Sequence, residues 1–138
     1  MKTILLNILA ILLGLFIGSF VNMSIINISG SIIPPPLGID VTTEEGLKNA
    51  MPFFEPKHFL FPFLAHAIGT FFGAFITTLI SKTYRKTFAL VIGLAFLIGG
   101  IIMINLVPTP LWFSITDLVL AYIPMAFWGY KIAIRLKK

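Results

Sequence analysis

Four long runs of apolar residues dominate the chain and leave it one kind of solvent, a lipid bilayer. They cover about Ile4–Asn27, Phe59–Ile80, Phe88–Val107 and Leu111–Ile134, and each is close to the ~20 residues that carry an α-helix across ~30 Å of hydrocarbon. Inside hydrocarbon every backbone N–H and C=O needs a partner within the chain, so such runs span as helices. The fold expected is therefore an all-α membrane protein, an up-down bundle of four transmembrane helices forming one domain over residues 1–138. The mean hydropathy of +1.02 leaves no stretch for a separate soluble domain. With no cysteine in the chain, disulfides, thiolate metal sites and cysteine nucleophiles are excluded.

Met1-Lys2 ahead of an apolar run also opens a signal peptide, but this run is longer than such peptides carry and shows no small-x-small cleavage site. It is expected to stay as the first helix. In the second run Pro62 falls in a first turn, where a missing N–H costs nothing. Pro124 in the fourth frees a carbonyl near Leu120 and predicts a kink. Pro108-Thr109-Pro110 predicts a tight hairpin between the third and fourth helices.

The positions of lysine and arginine predict orientation, because cytoplasmic flanks retain them. Lys2, Lys82, Arg85, Lys86, Lys131, Arg135, Lys137 and Lys138 flank one side, and only Lys48 and Lys57 the other. Both termini are expected in the cytoplasm, and the loop of residues 28–58 outside. The net charge of +5 reads as contact with anionic headgroups, not nucleic acid, since the cations flank apolar segments.

That loop reads as structured. Pro34-Pro35-Pro36 favours a stiff extended stretch, Leu37-Gly38 a turn, and Thr42-x-x-Glu45 a capping box that opens a short helix through about Met51. Leu47 and Met51, four apart, would turn one face to the membrane or the bundle. Pro52, Phe53, Phe54, Pro56, Lys57 and His58 then anchor the second helix at the interface, or form a lid or docking surface.

Ionisable groups at membrane depth are costly, and the chain has two, His66 and Asp117. Counted from the outer ends of their helices, both lie roughly 10 Å deep at ~1.5 Å per residue. Asn22 and Asn105 fall in the same outer third, Thr70 shares the His66 face and Tyr122 flanks the Asp117 stripe, which predicts an intramembrane polar cluster of Asn22, His66, Thr70, Asn105, Asp117 and Tyr122. His66, Thr70, Gly73 and Thr77 share one face of the second helix; Asn7, Gly14, Gly18 and Asn22 share one of the first. Ser114, Asp117, Ala121 and Pro124 form a stripe on the fourth. Small residues at Gly14-x-x-x-Gly18 and Ala65-x-x-x-Gly69-x-x-x-Gly73 predict close helix contacts. The His66–Asp117 pair reads either as a hydrogen bond fixing helix register or as a proton- or cation-binding site. Haem ligation by His66, or a quinone or lipid headgroup held by His66 and Tyr122, are further readings.

The stretch Pro56-Lys57-His58-Phe59-Leu60-Phe61-Pro62-Phe63-Leu64-Ala65-His66-Ala67-Ile68-Gly69-Thr70, with Asp117-Leu118 and Ala121-Tyr122-Ile123-Pro124-Met125, resembles small uncharacterised four-helix membrane proteins of bacteria. The resemblance implies a bacterial inner-membrane location and no particular activity. The chain lacks the mid-helix acid that small multidrug exporters carry in their first helix and the first-helix arginine motif of small fluoride channels. The expected function is a non-catalytic accessory or scaffold subunit, not an enzyme, with no cofactor and no metal, that self-associates or docks to a larger membrane complex. The alternative is a small proton- or cation-linked transporter or channel using His66 and Asp117.

Overall fold

Each apolar run folds as helix in the computed structural model, which describes residues 1–36 and 38–137. Helices α1 (Lys2–Ile32), α3 (Leu60–Ile80) and α4 (Arg85–Leu106) are continuous. The fourth run is broken into α5 (Leu111–Leu120) and α6 (Ile123–Leu136), and a short helix α2 (Glu44–Ala50) lies in the long loop. Among the described residues there is no strand. Four helical stretches are long and apolar enough to cross a membrane, counting α5 and α6 as one. The expectations for Leu37 and Lys138 lie outside the described residues.

Several boundaries differ from the sequence expectation, among them the start of α4, at Arg85 instead of Phe88. Helix α1 runs on past Asn27 to Ile32, because Ile28, Ser29 and Ser31 carry nothing that stops a helix and Pro34 is the first breaker. At 31 residues it is roughly 46 Å long at ~1.5 Å per residue, so its last turns outrun the hydrocarbon thickness and rise beside the loop. The cap of α2 is Thr43 rather than Thr42: Thr43 Oγ1 accepts from the Gly46 N–H at 3.0 Å. Thr42 is taken instead by Asp40, whose Oδ1 accepts from both its hydroxyl (2.6 Å) and its N–H (2.8 Å). Finally, α2 ends at Ala50 and passes into 3₁₀ turns at Met51–Phe53 and Pro56–Phe59, which lead into α3 with Pro62 in its first turn.

Helix α3 touches α1, α4 and α6 and forms the centre of the bundle. Its contact with α1 is built from the predicted small residues. A Cβ on Gly18 would lie 2.8 Å from the Gly69 carbonyl, one on Gly69 2.8 Å from the Gly18 carbonyl, and one on Gly14 2.6 Å from the Gly73 carbonyl. The two backbones meet only because these positions carry no side chain, and dispersion between them replaces the hydrophobic effect that lipid does not supply. Ala65 is fully buried on the same helix. Thr77 adds a hydrogen bond to the Ala10 carbonyl across the seam (3.1 Å). Asn7 then ties the end, donating to Thr83 Oγ1 (2.8 Å) and accepting from the Lys82 N–H (3.0 Å). These pairs give α1 and α3 opposite chain sense. Gly93 against Ala126 and Gly100 against Tyr122 likewise set α4 against α6.

Large apolar side chains face outward along the bundle, among them Leu12, Phe16 and Phe20 on α1 and Leu94 and Ile98 on α4. In water such a surface would drive aggregation; in lipid it is the expected exterior.

Candidate functional site

Pro124 has no N–H to offer the Leu120 carbonyl, and the helix opens at Ala121–Tyr122, as the sequence predicted. The break matters to the site. In an unbroken helix Asp117 and Tyr122 would point about 140° apart at ~100° per residue. With the helix broken, the Tyr122 hydroxyl donates to Asp117 Oδ2 at 2.8 Å. From α3, His66 Nδ1 lies 2.9 Å from both Asp117 oxygens and 3.0 Å from the Tyr122 hydroxyl oxygen. The consistent proton assignment has Nδ1–H and the tyrosine O–H both donating to the carboxylate. Asp117 and Tyr122 are sealed from the surroundings, whereas the His66 side chain keeps 23% of its exposure. His66 Nε2 has no partner among the described residues, yet it is not fully buried, so it is reachable from outside the cluster.

His66 is also a wall residue of a cavity of about 490 Å³. Its floor is His66, Asp117 and Tyr122; its walls are apolar side chains of α1, α4 and α5, including Ile26, Phe96, Met103 and Phe113. Val41, Leu47, Met51 and Phe54 of the long loop close the top. The Leu47–Met51 face thus turns to the bundle, and the loop is a wall of the site as well as an anchor. His58 holds that loop down. Its Nε2 lies 3.2 Å from the Pro34 carbonyl, its Nδ1 accepts from the Glu55 N–H at 2.9 Å, and its ring stacks on Phe54 with centroids 5.0 Å apart. The most exposed wall residues are Met23 and Gly30 on α1 and Gly99 and Met103 on α4, so the cavity opens sideways between those two helices.

The predicted polar cluster is only partly assembled. His66, Asp117 and Tyr122 form its hydrogen-bonded centre. Asn22 lines the cavity but makes no hydrogen bond to the pair. Thr70 lies one turn below His66, fully buried, with its hydroxyl unpartnered and outside the cavity wall. Asn105 does not belong: it is exposed and donates to the Ile101 carbonyl of its own helix (2.8 Å). The reason is angular. Ile104 lines the cavity, and the next residue points ~100° further round α4. Among the described residues no group of three His, Asp or Glu side chains is placed to hold a metal ion.

Sequence reasoning placed the polar residues level with one another but did not find the cavity. One signal for it was the Leu47–Met51 spacing. Another was Gly99-Gly100, where the missing side chains leave room beside the wall and seat the Tyr122 ring.

No protein-family model, no curated protein and no solved structure matches the chain. The site is therefore read from its own geometry.

Proposed function

We propose that this chain is a non-catalytic four-span protein of a bacterial inner membrane that holds a lipid-phase amphiphile by its polar end. One observation carries the reading: a cavity open to the side between α1 and α4, largely apolar on its walls, ends on a buried His–Asp–Tyr cluster in which His66 keeps one ring nitrogen free. A molecule dissolved in the bilayer reaches such an opening without leaving lipid, and the polar floor fixes which end enters first. The same site serves an accessory subunit that presents its ligand to a larger complex. Self-association through Gly14, Gly18, Gly69 and Gly73 is not part of this proposal, because those residues are used up between α1 and α3. In the orientation proposed, the basic flanks and both termini are cytoplasmic and the loop-covered cavity faces the outer leaflet.

The experiment is purification of the C-terminally tagged chain from its own membranes in mild detergent, with mass analysis of bound small molecules and of co-migrating proteins. An amphiphile retained near one per chain in the wild type and lost in a cavity-filling Met103→Trp variant is the expected result. A stoichiometric protein partner with no retained amphiphile supports the scaffold role alone and overturns ligand holding.

The second reading, a small proton- or cation-linked transporter, is favoured by the 2.9 Å His66–Asp117 contact at the cavity floor. It requires pH-dependent flux in liposomes that vanishes in both His66→Ala and Asp117→Asn. Folded variants with unchanged flux would end it.

A further inference from the structure

The chemistry of the cavity narrows the class of molecule that fits it, and this step rests on the reading of the cavity as a site for a lipid-phase ligand. Among the described residues no lysine or arginine lines it; the titratable side chains that do are His58, His66, Asp117 and Tyr122. The two loop lysines are paired with loop acids, Lys57 with Glu55 at 3.1 Å and Lys48 with Glu44 at 2.6 Å. A phosphate or carboxylate head would meet the Asp117 carboxylate and no lysine or arginine, in a medium of low dielectric where that repulsion is large. A cationic head fares little better, because both Asp117 oxygens are engaged, one by His66 and Tyr122 together and one by His66. The favoured head is uncharged.

Its hydrogen-bonding character follows from His66 Nε2. With Nδ1–H held on Asp117, a neutral imidazole presents Nε2 as an acceptor, suited to a ligand hydroxyl. In its doubly protonated form the ring instead presents Nε2–H as a donor, suited to a carbonyl oxygen. One atom therefore serves a head group in either its carbonyl or its hydroxyl form. The shape of the floor points to a flat ring. The His66 and Tyr122 rings stack at 5.7 Å with 28° between planes, and Phe59, Phe96 and Phe113 stand around them. A volume of about 490 Å³ holds a substituted ring and the first part of a chain, and the opening between α1 and α4 leads the remainder of a tail into lipid.

We propose that the cavity binds an isoprenoid-type quinone and its quinol, with a ring oxygen on His66 Nε2 and the tail leaving between Met23 and Met103. Quinone carbonyls accept from Nε2–H, and the quinol hydroxyl donates to Nε2.

The test uses the full chain in nanodiscs of synthetic phosphatidylcholine, photolabelled with an azido-quinone bearing a short tail, with labelled peptides located by mass spectrometry. Saturable labelling of peptides containing Phe96–Met103 or Phe113 is expected. It should fall at least tenfold when unlabelled short-tail quinone or its quinol competes, and stay unchanged with phosphatidic acid, a fatty acid or a long-chain alcohol. His66→Ala should abolish it. Because that variant removes a partner of a buried carboxylate and risks misfolding, Gly99→Leu is the second variant. A Cβ there meets nothing within 4 Å and the change leaves the His–Asp–Tyr cluster intact while narrowing the mouth. Loss of labelling in Gly99→Leu with a monodisperse, helical protein supports the assignment. Competition by the alcohol, the fatty acid or phosphatidic acid but not by quinone overturns the quinone class while leaving the lipid-phase site standing. Labelling that is non-saturable, or unaffected by both variants, overturns the site itself.

Discussion

Tyr122 is held from two sides, by the Asp117 carboxylate that accepts its proton and by Gly100, which leaves space for the phenol ring. A Cβ on Gly100 would lie 2.7 Å from Tyr122 Cζ, well inside contact distance. Gly100→Ala is therefore expected to push the ring and its hydroxyl off Asp117 and loosen the cluster without deleting any hydrogen-bonding atom. Ligand affinity should fall about tenfold, equivalent to about 1.4 kcal/mol, while the helical content stays that of the wild type. Tyr122→Phe removes one buried hydrogen bond worth about 1 kcal/mol and should cause a similar loss. Affinity measured for both variants checks this, and an unaltered Gly100→Ala would mean that Tyr122 does not need its present position. Asp117, His66 and Tyr122 were legible as residue types, because ionisable and hydroxyl groups stand out against apolar neighbours. That Asn105 would turn away was not, since depth along a helix says nothing of the face a neighbour covers; nor was the lower limit of the cavity, which leaves Thr70 outside it.

At the scale of elements, the α1–α3 seam and the loop give two separate expectations. Gly69→Leu places a side chain where the Gly18 carbonyl and Asn22 stand, so α1 must move away from α3. Overpacking of this kind costs about 1–3 kcal/mol, and the thermal midpoint in detergent should drop by several degrees; an unchanged midpoint would mean that the close backbone contact does not hold the helices. The turn before α2 depends on Asp40. The Thr42 hydroxyl, with its backbone N–H, holds the Asp40 carboxyl below the usual carboxylate range. A lowered folded value means that the turn gains stability from the ionised form above the ordinary aspartate range. It loses that contribution as pH falls through the lowered value. Exchange protection of the Thr42 amide should therefore persist through mildly acidic pH and vanish at strongly acidic pH, and Asp40→Asn should remove the dependence. Helix positions and the Pro124 break were readable from hydropathy and proline chemistry. The Thr43 cap was not, because Thr42 and Thr43 are equivalent candidates until Asp40 claims one of them.

On the scale of the molecule, the cations gather at one end of the bundle. Arg85 donates to the Ser81 carbonyl, Lys137 to the Leu79 carbonyl, and Lys86 and Lys131 lie over the Phe127 ring at 5.7 and 5.2 Å. Reporter fusions at both termini should read cytoplasmic and one placed in the loop, near Glu45, should read external. Replacing Lys82, Arg85 and Lys86 together by neutral residues should blur that orientation, because the cytoplasmic excess of charge sets it. A cytoplasmic signal from the loop fusion in the wild type would reverse the proposed sidedness and place the cavity in the inner leaflet.

The sequence by itself determined the solvent, the number and rough extent of the helices, the kink and the level of the polar groups. These depend on composition, periodicity and covalent geometry along one segment at a time. Only the tertiary structure decided that α3 stands at the centre, that the glycine stripes are spent inside the bundle, and that α1, α4 and the loop leave a space between them. A cavity is what several surfaces fail to fill together. Its walls come from residues as far apart as Asn22 and Tyr122, and no local pattern records how closely their helices approach.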